Sequence, residues 1–116
     1  MFRTVGAATC CYVPAVLLYH LTSNPNAASI RREGFSSTAC FVGSANGAPT
    51  TVPAGTRANP ECWVIVDMHD DEAKKYLGEP MADVYRLPVN IANERRDCFR
   101  CERFGLPGWP CPEDSQ

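Results

Sequence analysis

The stretch "CWVIVDM", residues 62–68, limits what this chain can fold into more than any other. An almost unbroken run of β-branched, aromatic and sulfur-bearing residues reads as a strand in the middle of a sheet, where apolar side chains are covered on both faces. Every other strand signal has to be arranged around it. Residues 15–20, "AVLLYH", form a second apolar strand, and Pro14 stands where a strand can begin. A brief strand is predicted over residues 39–42, "ACFV", and a last one over residues 83–89, "DVYRLPV".

Between these strands the helical signals are short. Asn24 offers a side-chain N-cap, Pro25 suits the first helical position, and Gly34 is placed to close the helix in a left-handed conformation. Arg31 and Arg32 fall in its last turn, where cations meet the negative end of the helix. "DDEAKKYLG" predicts one amphipathic helical turn stopped by Gly78. Residues 35–60, rich in Ser, Thr, Ala, Gly and Pro, are read mostly as loop. Connections this short and irregular exclude repeated crossover units and favour a small α+β domain. With 116 residues, 45% hydrophobic and 21% charged, a single domain over residues 1–116 is expected, with a cysteine-rich C-terminal tail from about residue 98.

Composition also narrows function. A net charge of −2 lacks the basic surplus that phosphate backbones demand, so nucleic acid is disfavoured as a partner. No run is long enough to span a bilayer and no leader pattern is present, so no membrane is expected and the default address is cytoplasmic. No glycine spacing matches a dinucleotide fingerprint or a P-loop. The seven cysteines are read mainly as reduced packing thiols. Two other readings stand beside that one: a local disulfide, or zinc held by Cys98, Cys101 and Cys111 with Cys62 or Cys40. Vicinal Cys10 and Cys11 are read as packing residues. The "HDDEAKK" cluster at residues 69–75 has the composition of an exposed helix start and is left outside the site.

Two stretches carry chemistry together. "LYHLTS" followed by "NAASIRREGF" resembles the opening of the ADP-ribosyltransferase superfamily, the poly(ADP-ribose)-polymerase-like and small toxin-type domains. The resemblance covers about the first third of the chain. It implies a split, mostly antiparallel sheet with short helices, and NAD as substrate without a metal. It also implies transfer of ADP-ribose to a macromolecular acceptor such as a protein, or hydrolysis of NAD. By that resemblance His20 would meet the adenosine ribose hydroxyls, Leu21 would offer backbone groups to the nicotinamide amide, and Thr22 and Ser23 would line the pocket. A neutral imidazole, with one donor and one acceptor, suits a ribose diol. Cys40 or Phe41 stands where the family carries a tyrosine, and Phe41 would offer a ring face to nicotinamide. Arg31 would approach the pyrophosphate. Asp83, with Glu79 and Glu94 in reserve, matches the acid that stabilises the oxocarbenium-like transition state. The alternative is a catalytically silent module that keeps the cleft for NAD, ADP-ribose or a protein partner. A second alternative is a small zinc-stabilised interaction domain.

Overall fold

The computed structural model describes residues 15–44, 47–53, 56, 59–79, 82–106 and 109–111, with the side chains of Ala15, Glu79, Ala82, Asp83 and Asp97 outside that description. Six strands are present among them: β1 (Ala15–Thr22), β2 (Ala39–Ser44), β3 (Cys62–His69), β4 (Leu77–Glu79), β5 (Ala82–Leu87) and β6 (Arg100–Arg103). They form one sheet in the order β4-β5-β2-β1-β3-β6, and each neighbouring pair is antiparallel. Three short helices accompany it: α1 (Asn24–Glu33), α2 (Asp70–Ala73) and α3 (Val89–Asn93). Mixed α and β content with an antiparallel sheet and short helices is therefore observed, as expected.

The unbroken run in β3 is explained by its position between β1 and β6, with core on both sides. Alternation sends Cys62, Val64, Val66 and Met68 into the larger core with Leu18, Phe35, Phe41 and Leu87. Trp63 and Ile65 point the other way and pack with Tyr19 and Leu21. Asp67, the polar break in the run, falls in alternation on that second face. Burial raises its carboxyl above the usual range and nearby Arg100 opposes the shift.

Helix α1 follows β1 after a single residue, Ser23, whose hydroxyl caps it by accepting from the Asn26 N–H. The cap is thus one residue earlier than Asn24, and Pro25 sits in the first turn, where its missing N–H costs nothing. Small residues Ala27 and Ala28 are buried, which lets the helix lie close to the sheet. Gly34 ends it at φ 87° and ψ 176°, a positive-φ conformation that favours glycine but is not the left-handed helical one expected. A Cβ there would also lie 2.6 Å from Asn93 Oδ1.

Three elements escaped the sequence reading. Gly78 does not stop a helix but lies inside β4, because the chain leaves α2 through a 3-10 turn at Lys74–Tyr76 and pairs at once with β5. Val89 opens α3 instead of extending the last strand. The polar "RCER" in the tail becomes edge strand β6 through its pairing with β3.

Candidate functional site

The backbone creates the site before any side chain does. β1 pairs with β3 along its whole length, from Ala15 opposite His69 to Thr22 opposite Cys62. Its pairing with β2 is much shorter, covering only Leu17, Leu18 and Tyr19 against Ser44, Gly43 and Val42. Ala39 to Val42 pair with β5 on the far side. The sheet is continuous at one end and parted between β1 and β2 at the other, and the parting begins at His20.

The imidazole of His20 bridges this parting, its Nδ1 lying 2.9 Å from the carbonyl oxygen of Cys40. A carbonyl can only accept, so Nδ1 carries the proton and Nε2 of the neutral ring is left as an acceptor. Burial pushes the imidazole below its ordinary pKa, opposed in part by the Cys40 hydrogen bond, which keeps the ring neutral near pH 7. Successive residues of an antiparallel strand aim their backbone groups at opposite neighbours. The Cys40 carbonyl faces β1, as does Val42, whose partner is Tyr19. By the same alternation Leu21 directs its N–H and C=O into the parting, beyond the last pair with β2, while its side chain is buried in the second core.

Aromatic rings fix the histidine. Phe35 meets it edge to face with centroids 5.3 Å apart, and Phe41 lies tilted at 5.5 Å. Phe35 and Phe41 also touch each other at 5.5 Å. Phe41 is 1% exposed, so its ring is a wall behind the imidazole and presents no open face to a ligand. Phe35 is held in turn by the Asn93 side chain, which accepts from its N–H at 2.8 Å and donates to its carbonyl at 3.0 Å. No local pattern marked Asn93, because it reaches Phe35 across 58 residues.

Thr22 is buried and shares a strand face with His20 by alternation. Ser23 stands at the mouth of α1 as its cap. Beside it the Asn24 N–H donates to Glu61 Oε1 at 2.8 Å, so Glu61 puts a carboxylate at the helix N-terminus that sequence reading missed. Tyr85 is a further unforeseen neighbour. It pairs with Phe41 in register, and its ring lies so close over Gly43 that an added Cβ would be 2.6 Å from Cε1.

The remaining expected residues lie further out. Arg31 lines a groove of about 370 Å³ formed with Phe99, Arg100, Cys101, Pro110 and Cys111, a set that includes neither His20 nor Phe41. The Asp83 backbone is in β5, and its side chain lies outside the described residues. Extending the pairing of Val84 with Val42 by one residue sets Asp83 in the row of Gly43 and Leu18. Two strand spacings and a two-residue offset then separate its backbone from that of His20 by about 12 Å. Glu79 ends β4 with its side chain likewise undescribed, and Glu94 is exposed, its carboxylate 3.7 Å from the neighbouring Arg95.

The cysteines depart from the reduced packing thiols expected. Cys62 and Cys111 form a disulfide, and Cys98 is disulfide-bonded as well. Cys40 and Cys101 stand outside any disulfide, and Cys10 and Cys11 lie outside the described residues. The cause is tertiary: the strand pairing of β3 with β6 carries the tail back over the start of β3.

No family model, curated protein or solved structure matches this chain. Among the described residues, no helix is long and apolar enough to cross a membrane.

Proposed function

We propose that the protein is a minimal ADP-ribosyltransferase-like domain that binds NAD in the parting between β1 and β2. It would transfer ADP-ribose to a macromolecular acceptor such as a protein, or hydrolyse NAD. The observation that carries this reading is the neutral His20 at the point where the sheet opens, with Nδ1 tied to the Cys40 carbonyl and Nε2 left to accept. A ribose hydroxyl donating to Nε2 would complete that ring's hydrogen bonding. The outward N–H and C=O of Leu21 match the carbonyl and amino groups of a nicotinamide amide. A backbone separation of about 12 Å between His20 and Asp83 suits a ligand with two riboses joined by a pyrophosphate.

In this reading His20 orients the adenosine end, and Thr22 and Ser23 border the pocket. Asp83 acts at the other ribose. As nicotinamide leaves with the electron pair of the glycosidic bond, positive charge builds on the ribose, and a fixed carboxylate holds that charge more strongly than the ground state. Arg31, in its separate groove, has no part in the chemistry.

A second reading, a silent NAD- or ADP-ribose-binding module, draws on the enclosure of Phe41, which leaves that ring no open face for nicotinamide. Nicotinamide release from NAD, measured beside NAD binding by calorimetry, separates the two. The transferase reading expects release that falls by about 10² to 10³ in Asp83→Ala. His20→Ala should weaken NAD binding about tenfold, the cost of one lost hydrogen bond. Binding without release establishes the silent module, and no binding by folded protein ends both readings.

A further inference from the structure

Away from the parting, the sulfur atoms of Cys62, Cys101 and Cys111 all lie within 4.8 Å of one another. They come from three places in the chain: the start of β3, the middle of β6 and the segment that returns after β6. Cys101 pairs with Val64, so alternation puts it on the same sheet face as Cys62. Cys62 and Cys111 are buried and Cys101 is half-buried, packed against the larger core. We propose that in the reduced protein these three cysteines form a three-thiolate zinc site, the fourth position of the ion being filled by water.

Three observations lead there. First, two sulfurs on one tetrahedral zinc are about 3.8 Å apart, from Zn–S bonds of about 2.3 Å; Cys101 Sγ already lies within 4.8 Å of the other two, and reduction frees Cys62 and Cys111 to part to that spacing. Second, the backbone holds this geometry without the disulfide. The Arg103 N–H donates to the Trp109 carbonyl at 2.8 Å and Arg103 Nε to the Pro110 carbonyl at 2.9 Å, which keeps Cys111 beside β6 when its sulfur is released. Third, Arg31 lines the same groove as Cys101 and Cys111, and its positive charge would offset the net −1 of a three-thiolate zinc complex. Cys98, separated from Cys101 by the two residues of a metal-knuckle spacing, is not in the sulfur cluster, and its thiol, released by the same reduction, should stay open to alkylation.

The chemistry balances in two steps. A dithiol reductant gives two electrons and two protons to the Cys62–Cys111 bond, becoming a cyclic disulfide and leaving two thiols. Zinc(II) then displaces three protons from Cys62, Cys101 and Cys111, giving a complex of charge −1. A disulfide oxidant, taking the two electrons from Cys62 and Cys111 and leaving as its dithiol, re-forms their bond and releases the ion, so disulfide and metal are alternative fastenings of one tail.

The test uses the full chain, reduced with a phosphine under anaerobic conditions and titrated with Zn²⁺ against a chromogenic chelator. One zinc per chain is expected, with Cys62, Cys101 and Cys111 protected from alkylation in peptide maps. Co²⁺ in its place should give charge-transfer absorption sized for three thiolates. Cys101→Ser should weaken zinc at least about 100-fold. The same variant, oxidised, should still form the Cys62–Cys111 disulfide, which shows that it folds. No zinc bound, protection of a different set of cysteines, or wild-type affinity in Cys101→Ser overturns the proposal.

Discussion

His20 joins stability to function through one proton. Because burial lowers its pKa, the unfolded chain takes up a proton before the native state does as pH falls. Stability from this residue is complete above the unfolded value of about 6.5 and is lost as pH drops through the lower folded value. Urea unfolding between pH 8 and pH 5 should therefore show a steeper acid loss in the native protein than in His20→Gln. Equal slopes would mean that the ring titrates alike in both states. The proton on Nδ1 and the acceptor at Nε2 follow from the contact with the Cys40 carbonyl, whereas the loss in acid follows from burial, which that contact partly offsets. The histidine itself was legible in "LYHLTS", but its partner was not, since the residues that turn the Cys40 carbonyl toward it belong to another strand. Phe41 shows the converse. As an aromatic in a short strand it could face a ligand or the core, and only the register of β2 with β5 buries it.

Helix α1 and its exit are a unit in which local chemistry sets the start and a distant residue sets the end. A capped start just after β1 and Pro25 in the first turn were readable, with the cap set at Asn24 and found one residue earlier at Ser23, because capping depends on neighbours in sequence. The exit depends on Asn93 of α3, whose amide takes both backbone groups of Phe35. Asn93→Ala should cost about 1–3 kcal/mol, because it strands two partly buried polar groups beside the aromatic wall of the site. Chemical denaturation with an unchanged m-value would measure it, and a change under about 0.5 kcal/mol would show that water replaces the amide. Strands β4 and β6 were missed for a related reason. Three residues, "LGE", and four mostly charged ones, "RCER", have no intrinsic strand signal, and edge strands are held in place by the partner they pair with. α3 was missed because Pro88 can end a strand or open a helix, and the five residues after it are too few to show a period.

Over the entire chain, the bond between Cys62 and Cys111 closes a loop of 49 residues that includes β3 to β6. Constraining a loop of that size in the unfolded ensemble is worth about 4 kcal/mol in the chain-entropy picture. Cys111→Ser should lower the urea midpoint accordingly, and added dithiol should have little further effect on that variant beyond the disulfide of Cys98. A variant as stable as the native protein would show that the sheet and the Arg103 hydrogen bonds hold the tail alone.

By itself the sequence determined what depends on neighbours along the chain: a central strand from an unbroken apolar run, a capped helix straight after β1, and a histidine at that junction. Only the tertiary structure decided where β1 leaves β2, which sulfurs meet, and which rings enclose His20. Register and strand order bring together residues 20 to 60 positions apart, and no local propensity encodes such a pairing until the sheet has formed.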